Sequence, residues 1–268
     1  INFINQLILV ILVYLIVGFF ISIPFYLSND EISFLNSFFE AISGLTGTGF
    51  SSFENIKYLD PTLILWRSSS QWIGGLFFLY FLILLFSNKT FNFKMTNLTY
   101  SDENNFMSED NIKNIILKIL IFYSTISFTL LVFLNFSGLR LFNSLNLSMT
   151  IVSAGGFLPS ENLRDIILTN FQKVILTLGL IFSMLNFYFL FNIFNKKKIL
   201  NDHKEDFYLL SLSIIFIILI YFIDLDIFNI IISVISSLSN SGITLVQEDK
   251  NLSLYFLFLT NNWWISCS

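Results

Sequence analysis

The stretch Phe34-Leu-Asn-Ser-Phe-Phe-Glu-Ala-Ile-Ser-Gly-Leu-Thr-Gly-Thr-Gly49-Phe50 decides the fold. It is apolar from Phe34 to Leu45 and then turns to hydroxyls and glycines. A helix needs about 18–20 apolar residues to cross the hydrocarbon core of a bilayer. This one is too short to span, which suits a re-entrant half-helix.

The same pattern returns twice without gaps, as Leu141–Phe157 at an offset of 107 and as Ile227–Ile243 at an offset of 193. Asn36, Asn143 and Asn229 coincide, and so do Gly49, Gly156 and Gly242. Hydroxyls coincide at Ser43, Thr150 and Ser236 and again at Thr46, Ser153 and Ser239. Apolar residues fill the columns of Leu35, Phe142 and Phe228 and of Leu45, Val152 and Leu238. Each copy therefore predicts a short amphipathic helix that runs into a hydroxyl-rich turn and reaches one Gly. A chain rich in Phe, Ile, Asn and Ser offers chance matches, and a Gly at a helix end can simply relieve crowding. Against chance stand three gapless copies, each lying between two longer apolar runs.

Those longer runs are Gln6–Leu27, Thr62–Phe86, Ile115–Phe136, Ile166–Phe194, Phe207–Ile223 and Leu252–Ile265. All six are read as spans. Composition agrees: of 268 residues 55% are hydrophobic and 12% charged, against about 25% charged in soluble domains. An ordinary soluble enzyme is thereby excluded. One cysteine, Cys267, and one histidine, His203, leave no disulfide framework and no Cys/His metal site. A net charge of −4 with no basic stripe argues against nucleic-acid binding. The apolar start lacks a basic lead and a small-residue cleavage site, so it is not read as a signal peptide. The fold class expected is an all-α polytopic membrane protein, built from repeated helix, re-entrant pore loop, helix units around a pore. The units are residues 1–88 (loop 34–50), residues 89–200 including a cytoplasmic loop (pore loop 141–157), and residues 201–268 (loop 227–243).

The loops Ser87–Lys118 and Asn195–Asp206 hold eight of the 14 basic residues and are read as cytoplasmic by the positive-inside rule. The opposite side carries an acidic excess, including Asp30, Glu31, Glu54 and Asp60. Such a mouth concentrates cations, although solvated loop charge is the plainer explanation.

A re-entrant half-helix leaves unpaired carbonyls at its C-terminal end, which the bilayer forbids unless they face protein, water or an ion. The partial negative charge there favours a cation. Extended backbone beyond the helix can replace an ion's hydration shell, with Gly supplying the dihedrals. Several such units around one axis make a cation filter in which backbone oxygens, rather than side chains, coordinate.

At these residues the sequence resembles the Trk/Ktr/HKT superfamily of potassium and sodium transporters, most closely the bacterial TrkH/KtrB-type membrane subunits. The matching stretches are Phe39-Glu-Ala-Ile-Ser-Gly-Leu-Thr-Gly-Thr-Gly49, Leu65-Trp-Arg-Ser-Ser-Ser-Gln-Trp-Ile-Gly-Gly75 and Thr150-Ile-Val-Ser-Ala-Gly-Gly-Phe157. Leu185-Asn-Phe187 and Glu205-Asp-Phe207 are similar to a segment that follows the second filter in the family. The resemblance implies four repeats around one pore with a filter Gly in each. Here that means Gly49, Gly156 and Gly242, with the backbone of Thr46, Gly47, Thr48, Ser153, Ala154, Gly155, Ser239, Asn240 and Ser241 also lining the ion path. In the family a Ser at the first filter position goes with sodium, so Gly49 points to potassium. It further implies no cofactor beyond transported K+, with sodium or proton coupling left open. The implied partners are membrane lipid, a second copy in a homodimer and a cytoplasmic nucleotide-binding regulatory subunit, in a bacterial cytoplasmic (inner) membrane. Only three repeats are present, so the chain is expected to be part of a longer polypeptide. An in-frame stop directly after Ser268 would refute that.

Several residues have plainer readings. Arg67 would be costly in a span unless it snorkels or pairs with Glu40 or Asp60. Gly74 and Gly75 read as helix packing, Lys196–Lys198 as a cytoplasmic membrane face, His203 as solvated, and Trp66, Trp72, Trp263 and Trp264 as interfacial anchors. The rival functions are sodium or mixed transport on the same fold, a helical scaffold whose glycines only pack helices, and a membrane-embedded enzyme. No His cluster, intramembrane carboxylate pair or nucleophile motif supports the last.

Overall fold

The computed structural model describes residues 3–28, 32–53, 56–86, 109–187, 190, 204–221, 226–243 and 245. Among them the chain forms eight α-helices and no strand. These are α1 (Phe3–Ser28), α2 (Phe34–Thr46), α3 (Pro61–Phe86), α4 (Glu109–Phe136), α5 (Leu141–Val152), α6 (Asn170–Met184), α7 (Lys204–Tyr221) and α8 (Ile227–Leu238). The short members α2, α5 and α8 are the three repeated segments. Cytoplasmic-loop residues 87–108 and 191–203, with Lys196–Lys198 and His203, lie outside the described residues, as do the sixth apolar run, Trp263 and Trp264.

Packing follows the repeat. α2 lies between α1 and α3 around Ile21, Phe25, Ala41, Leu45, Phe53 and Leu63. α5 packs on α4 and α6 and also on α3, while α8 packs on α6 and α7. Leu147, Ile151, Leu176, Leu180, Ile232, Ile235 and Ile243 form one apolar cluster that joins the second unit to the third. Each of these buried side chains contributes on the order of 1.5–3 kcal/mol relative to exposure. By contrast, α1 exposes Ile4, Ile8, Ile11, Leu12, Leu15, Ile16, Phe19 and Phe20. An apolar face that wide suits lipid rather than water.

Among the described residues two helices are long and apolar enough to cross a membrane, Ile4–Ser28 and Ile116–Phe136. α3 is as long as α1, but it carries Arg67, Ser68, Ser70 and Gln71, all buried. The expected fourth span, Ile166–Phe194, is not one continuous helix. Ile166 and Ile167 are instead buried in the core on the approach to α6, which begins at a capping box in which Thr169 accepts from the Gln172 N–H. α6 stops at Met184 because Leu185 is extended (φ −73°, ψ 148°). The buried Asp206 carboxylate then accepts the Asn186 N–H at 2.7 Å. Leu190 N–H donates to the Asn186 carbonyl at 3.2 Å, the spacing of a resumed helical turn. The Leu-Asn-Phe and Glu-Asp-Phe segments thus meet at a helix break.

Trp66 and Trp72 each staple one helix to another. Trp66 donates its indole N–H to the Ile21 carbonyl of α1 at 3.1 Å, and Trp72 donates to Ser127 Oγ of α4 at 2.9 Å. Gly74 does serve packing, since a Cβ there would collide with the backbone of Leu45.

Candidate ion-coordination site

All three short helices end in the same backbone device. Thr48 N–H donates to the Ser43 carbonyl at 3.0 Å, Gly155 N–H to Thr150 at 2.8 Å and Ser241 N–H to Ser236 at 3.0 Å. One residue earlier, Gly47 donates to Gly44 at 3.0 Å, Ala154 to Ile151 at 3.0 Å and Asn240 to Ser237 at 3.2 Å. This paired pattern is the Schellman motif, whose pivot residue is left-handed. The pivots are Gly47 (φ 68°), Ala154 (φ 53°) and Asn240 (φ 62°). The turn directs the chain away from the helix axis and into the segment that reaches Gly49, Gly156 and Gly242.

The aligned hydroxyl column closes the loop from the other side. Ser43 Oγ donates to the Phe50 carbonyl at 2.6 Å, and Thr150 Oγ1 donates to the Phe157 carbonyl at 2.9 Å. In the third copy Ser236 Oγ meets Ser241 Oγ at 3.0 Å. Backbone carbonyls of residues 46–49, 153–156 and 239–242 receive no hydrogen bond among the described residues. They lie between the helix-end bonds and, in the first two copies, the hydroxyl staple.

The three loops converge. A Cβ built on Gly49 would lie 3.0 Å from Gly156 Cα. One built on Gly156 would lie 2.8 Å from the Ser241 carbonyl oxygen and 3.5 Å from Gly49 Cα. Gly49 (φ 78°) and Gly242 (φ 65°) are left-handed as well, but nothing lies within 4 Å of a Cβ at Gly242. The structure thus brings Gly49, Gly156 and Ser241 together and leaves Gly242 in open space beside them. Thr46 and Thr48 are exposed and share a 2.6 Å hydroxyl contact. All three aligned hydroxyls return to their own helices, Thr46 to the Ile42 carbonyl, Ser153 to the Met149 and Thr150 carbonyls and Ser239 to Ser236. Beneath the second loop a cavity of about 380 Å³ is lined by Gly75, Tyr123, Ser153, Ala154, Asn186 and Asp206 among others.

Residues behind the loops were only partly visible from sequence. Arg67 does not snorkel: it is 1% exposed and pairs with Glu40 at 2.7 Å. Gln71, taken from sequence only as part of a motif, accepts the Phe157 N–H at 3.2 Å. No group of three or more acidic, His or Cys side chains able to hold a metal ion occurs among the described residues.

A helix bundle in which three short helices end in converging loops gives the fold of an all-α polytopic membrane protein. The chain is 31% identical over 252 residues to an uncharacterized cation transporter, MJ1485, of Methanocaldococcus jannaschii, covering 92% of this chain and 51% of that one. It is 33% identical over 72 residues to the Trk system potassium uptake protein TrkI of Halomonas elongata, or 27% of this chain and 15% of that one. Its fold matches the potassium transporter TrkH from Vibrio parahaemolyticus with a TM-score of 0.74 at 18% identity, covering 97% of this chain and 56% of that one. No family model matches. The chain therefore spans about half the length of the archaeal relative, and it shares the fold of the TrkH structure.

Proposed function

We propose that this chain forms the ion path of a potassium-uptake subunit in a cytoplasmic membrane, with K+ shedding water at backbone carbonyls of the three loops. The observation that carries this reading is the meeting of Gly49, Gly156 and Ser241 backbone from three separate re-entrant segments. Their carbonyls at 46–49, 153–156 and 239–242 take no hydrogen bond among the described residues. Such groups inside a bilayer need water or an ion in place of a protein donor. Gly rather than Ser at position 49 favours potassium over sodium, by the pattern of the family the chain resembles. The apolar exposure of α1 supports contact with lipid. By the same resemblance the subunit pairs with a second copy and docks a cytoplasmic nucleotide-binding subunit on its inner loops.

The test is ion uptake by cells that lack their own potassium uptake and express the complete gene. Potassium uptake is expected, with Gly49→Ser lowering the preference for K+ over Na+. Sodium uptake by the unaltered protein would establish the sodium alternative. Uptake and selectivity indifferent to both Gly49→Ser and Gly156→Ser would mark the glycines as packing residues of a scaffold.

A further inference from the structure

One side chain touches the exits of both the first and second loops. Arg67 Nε donates to Glu40 Oε1 at 2.7 Å, and Arg67 Nη2 donates to Ser51 Oγ at 3.1 Å. Its guanidinium carbon lies 4.2 Å from the centroid of the Phe157 ring, the residue directly after Gly156, and 5.7 Å from that of Phe53. Glu40 completes the first-loop side, accepting the Ser52 N–H at 2.8 Å and the Ser51 and Ser52 hydroxyls at 3.2 Å each. One helical turn beyond Arg67, Gln71 accepts the Phe157 N–H, and a Cβ at Gly155 would strike its amide. Arg67, Glu40 and Gln71 are 1%, 0% and 0% exposed.

The brace is specific to these two loops. The positions equivalent to Glu40 are Leu147 and Ser233 in the other copies, which carry no charge. A buried ion pair is costly to desolvate and is a poor means of gaining stability alone. Well-packed apolar residues would serve a purely structural purpose as well or better. What the pair supplies here is fixed geometry on two loops at once together with zero net charge beside a proposed cation path.

We propose that Glu40, Arg67 and Gln71 form a selectivity brace: positioning residues that set the spacing of the first two filter loops and keep the adjacent field neutral. The proposal rests on the filter reading above. It separates from a purely structural role by sign. Glu40→Gln leaves an uncompensated cation behind the loops and raises the KM for potassium by roughly tenfold, the scale of one unpaired charge acting through a partly screened interior. Arg67→Gln leaves an anion and lowers KM while weakening discrimination against sodium. Arg67→Lys and Gln71→Met change no charge, so KM holds and discrimination falls.

The experiment measures KM for K+, the Na+/K+ uptake ratio and membrane abundance for all four variants in the complete protein, beside Gly49→Ser. Opposite KM shifts in the two charge variants, or lost discrimination at unchanged KM in the two neutral ones, support the brace. Should the charge variants fail to accumulate, the neutral pair decides. Equal shifts of one sign, or uptake that merely follows abundance with wild-type discrimination, overturn it, provided that Gly49→Ser alters selectivity. If Gly49→Ser has no effect either, the filter reading has failed and the brace falls with it.

Discussion

Gly156→Ala tests the convergence of the loops most directly, because Gly156 lies outside the left-handed region and a methyl group there acts through space alone. That methyl would sit 2.8 Å from the Ser241 carbonyl oxygen, where ordinary contact begins at 3.4 Å. The third loop must therefore retreat by about 0.6 Å, or the second must tilt by as much. Both neighbours are backbone, so no side-chain rotation relieves the clash. Overpacking of this kind costs about 1–3 kcal/mol, which in a chain of this size lowers Tm by roughly 2–4 °C per kcal/mol. A coordinating site has to be held to within about 0.5 Å, so the same displacement degrades K+ over Na+ discrimination. The measurement is Tm of the purified protein beside K+ and Na+ uptake. Gly242→Ala is the internal comparison, since its methyl meets nothing within 4 Å and suffers only the cost of φ 65°, about 1–2 kcal/mol. Wild-type discrimination by an abundant Gly156→Ala protein, with a larger defect in Gly242→Ala, would refute the inference that these loops meet at Gly156.

Two further outcomes concern stability. Ala154→Gly removes a left-handed alanine (φ 53°) from the second Schellman turn; after the extra freedom of the unfolded glycine is subtracted, it stabilises by about 0.5–1 kcal/mol, read as a rise in Tm. Thr150→Val keeps the shape but leaves the buried Phe157 carbonyl without its hydroxyl donor, at a cost of about 1–3 kcal/mol. Ser43→Ala should cost less, because Phe50 is 69% exposed and its carbonyl can take a water instead. Equal losses of Tm in the two variants would contradict that ordering.

The three short helices were legible because gapless alignment compares like with like: α5 and α8 have the aligned bounds, and α2 runs one residue further. The pivot positions were not. Gly, Ala and Asn share no obvious type at 47, 154 and 240, and only the backbone dihedral unites them. Small or αL-tolerant residues two positions before each aligned Gly were the available signal. The break after α6 was hidden inside a strongly apolar run, where hydropathy cannot distinguish a continuous helix from two pieces. There Leu185 is extended and the Asn186 N–H turns to the Asp206 carboxylate, a long-range bond that hydropathy does not encode. The Glu40–Arg67 pair stood among the sequence alternatives because a buried Arg needs a carboxylate. Its extension to Phe157 through Gln71 joins residues 86 positions apart and left no local trace. Tryptophans near span ends suggested headgroups, yet both described ones donate to acceptors on neighbouring helices.

What recurs in this chain is a hydrogen-bond pattern more than a string of residues. The paired helix-end bonds hold at all three loops although the pivots differ, and the hydroxyl staple holds at two although Ser replaces Thr. The third copy departs: Ser236 turns to Ser241, and among the described residues no side chain equivalent to Arg67 or Gln71 is seen to reach its loop from α3. The first and second loops are therefore tied both to their own helices and to each other through α3, whereas the third lacks that brace: it is tied to its own helix, meets the second at the Ser241 carbonyl, and just beyond it Arg164 Nε donates to the Leu245 carbonyl. The softer direction for strain at the Gly156 junction is toward the third loop, which α3 does not hold. Selectivity should accordingly tolerate substitutions in Ser239–Ser241 better than equivalent ones in Thr46–Thr48 or Ser153–Gly155. The reason is the missing brace, since the proposed carbonyl ligands are the same in kind at all three loops.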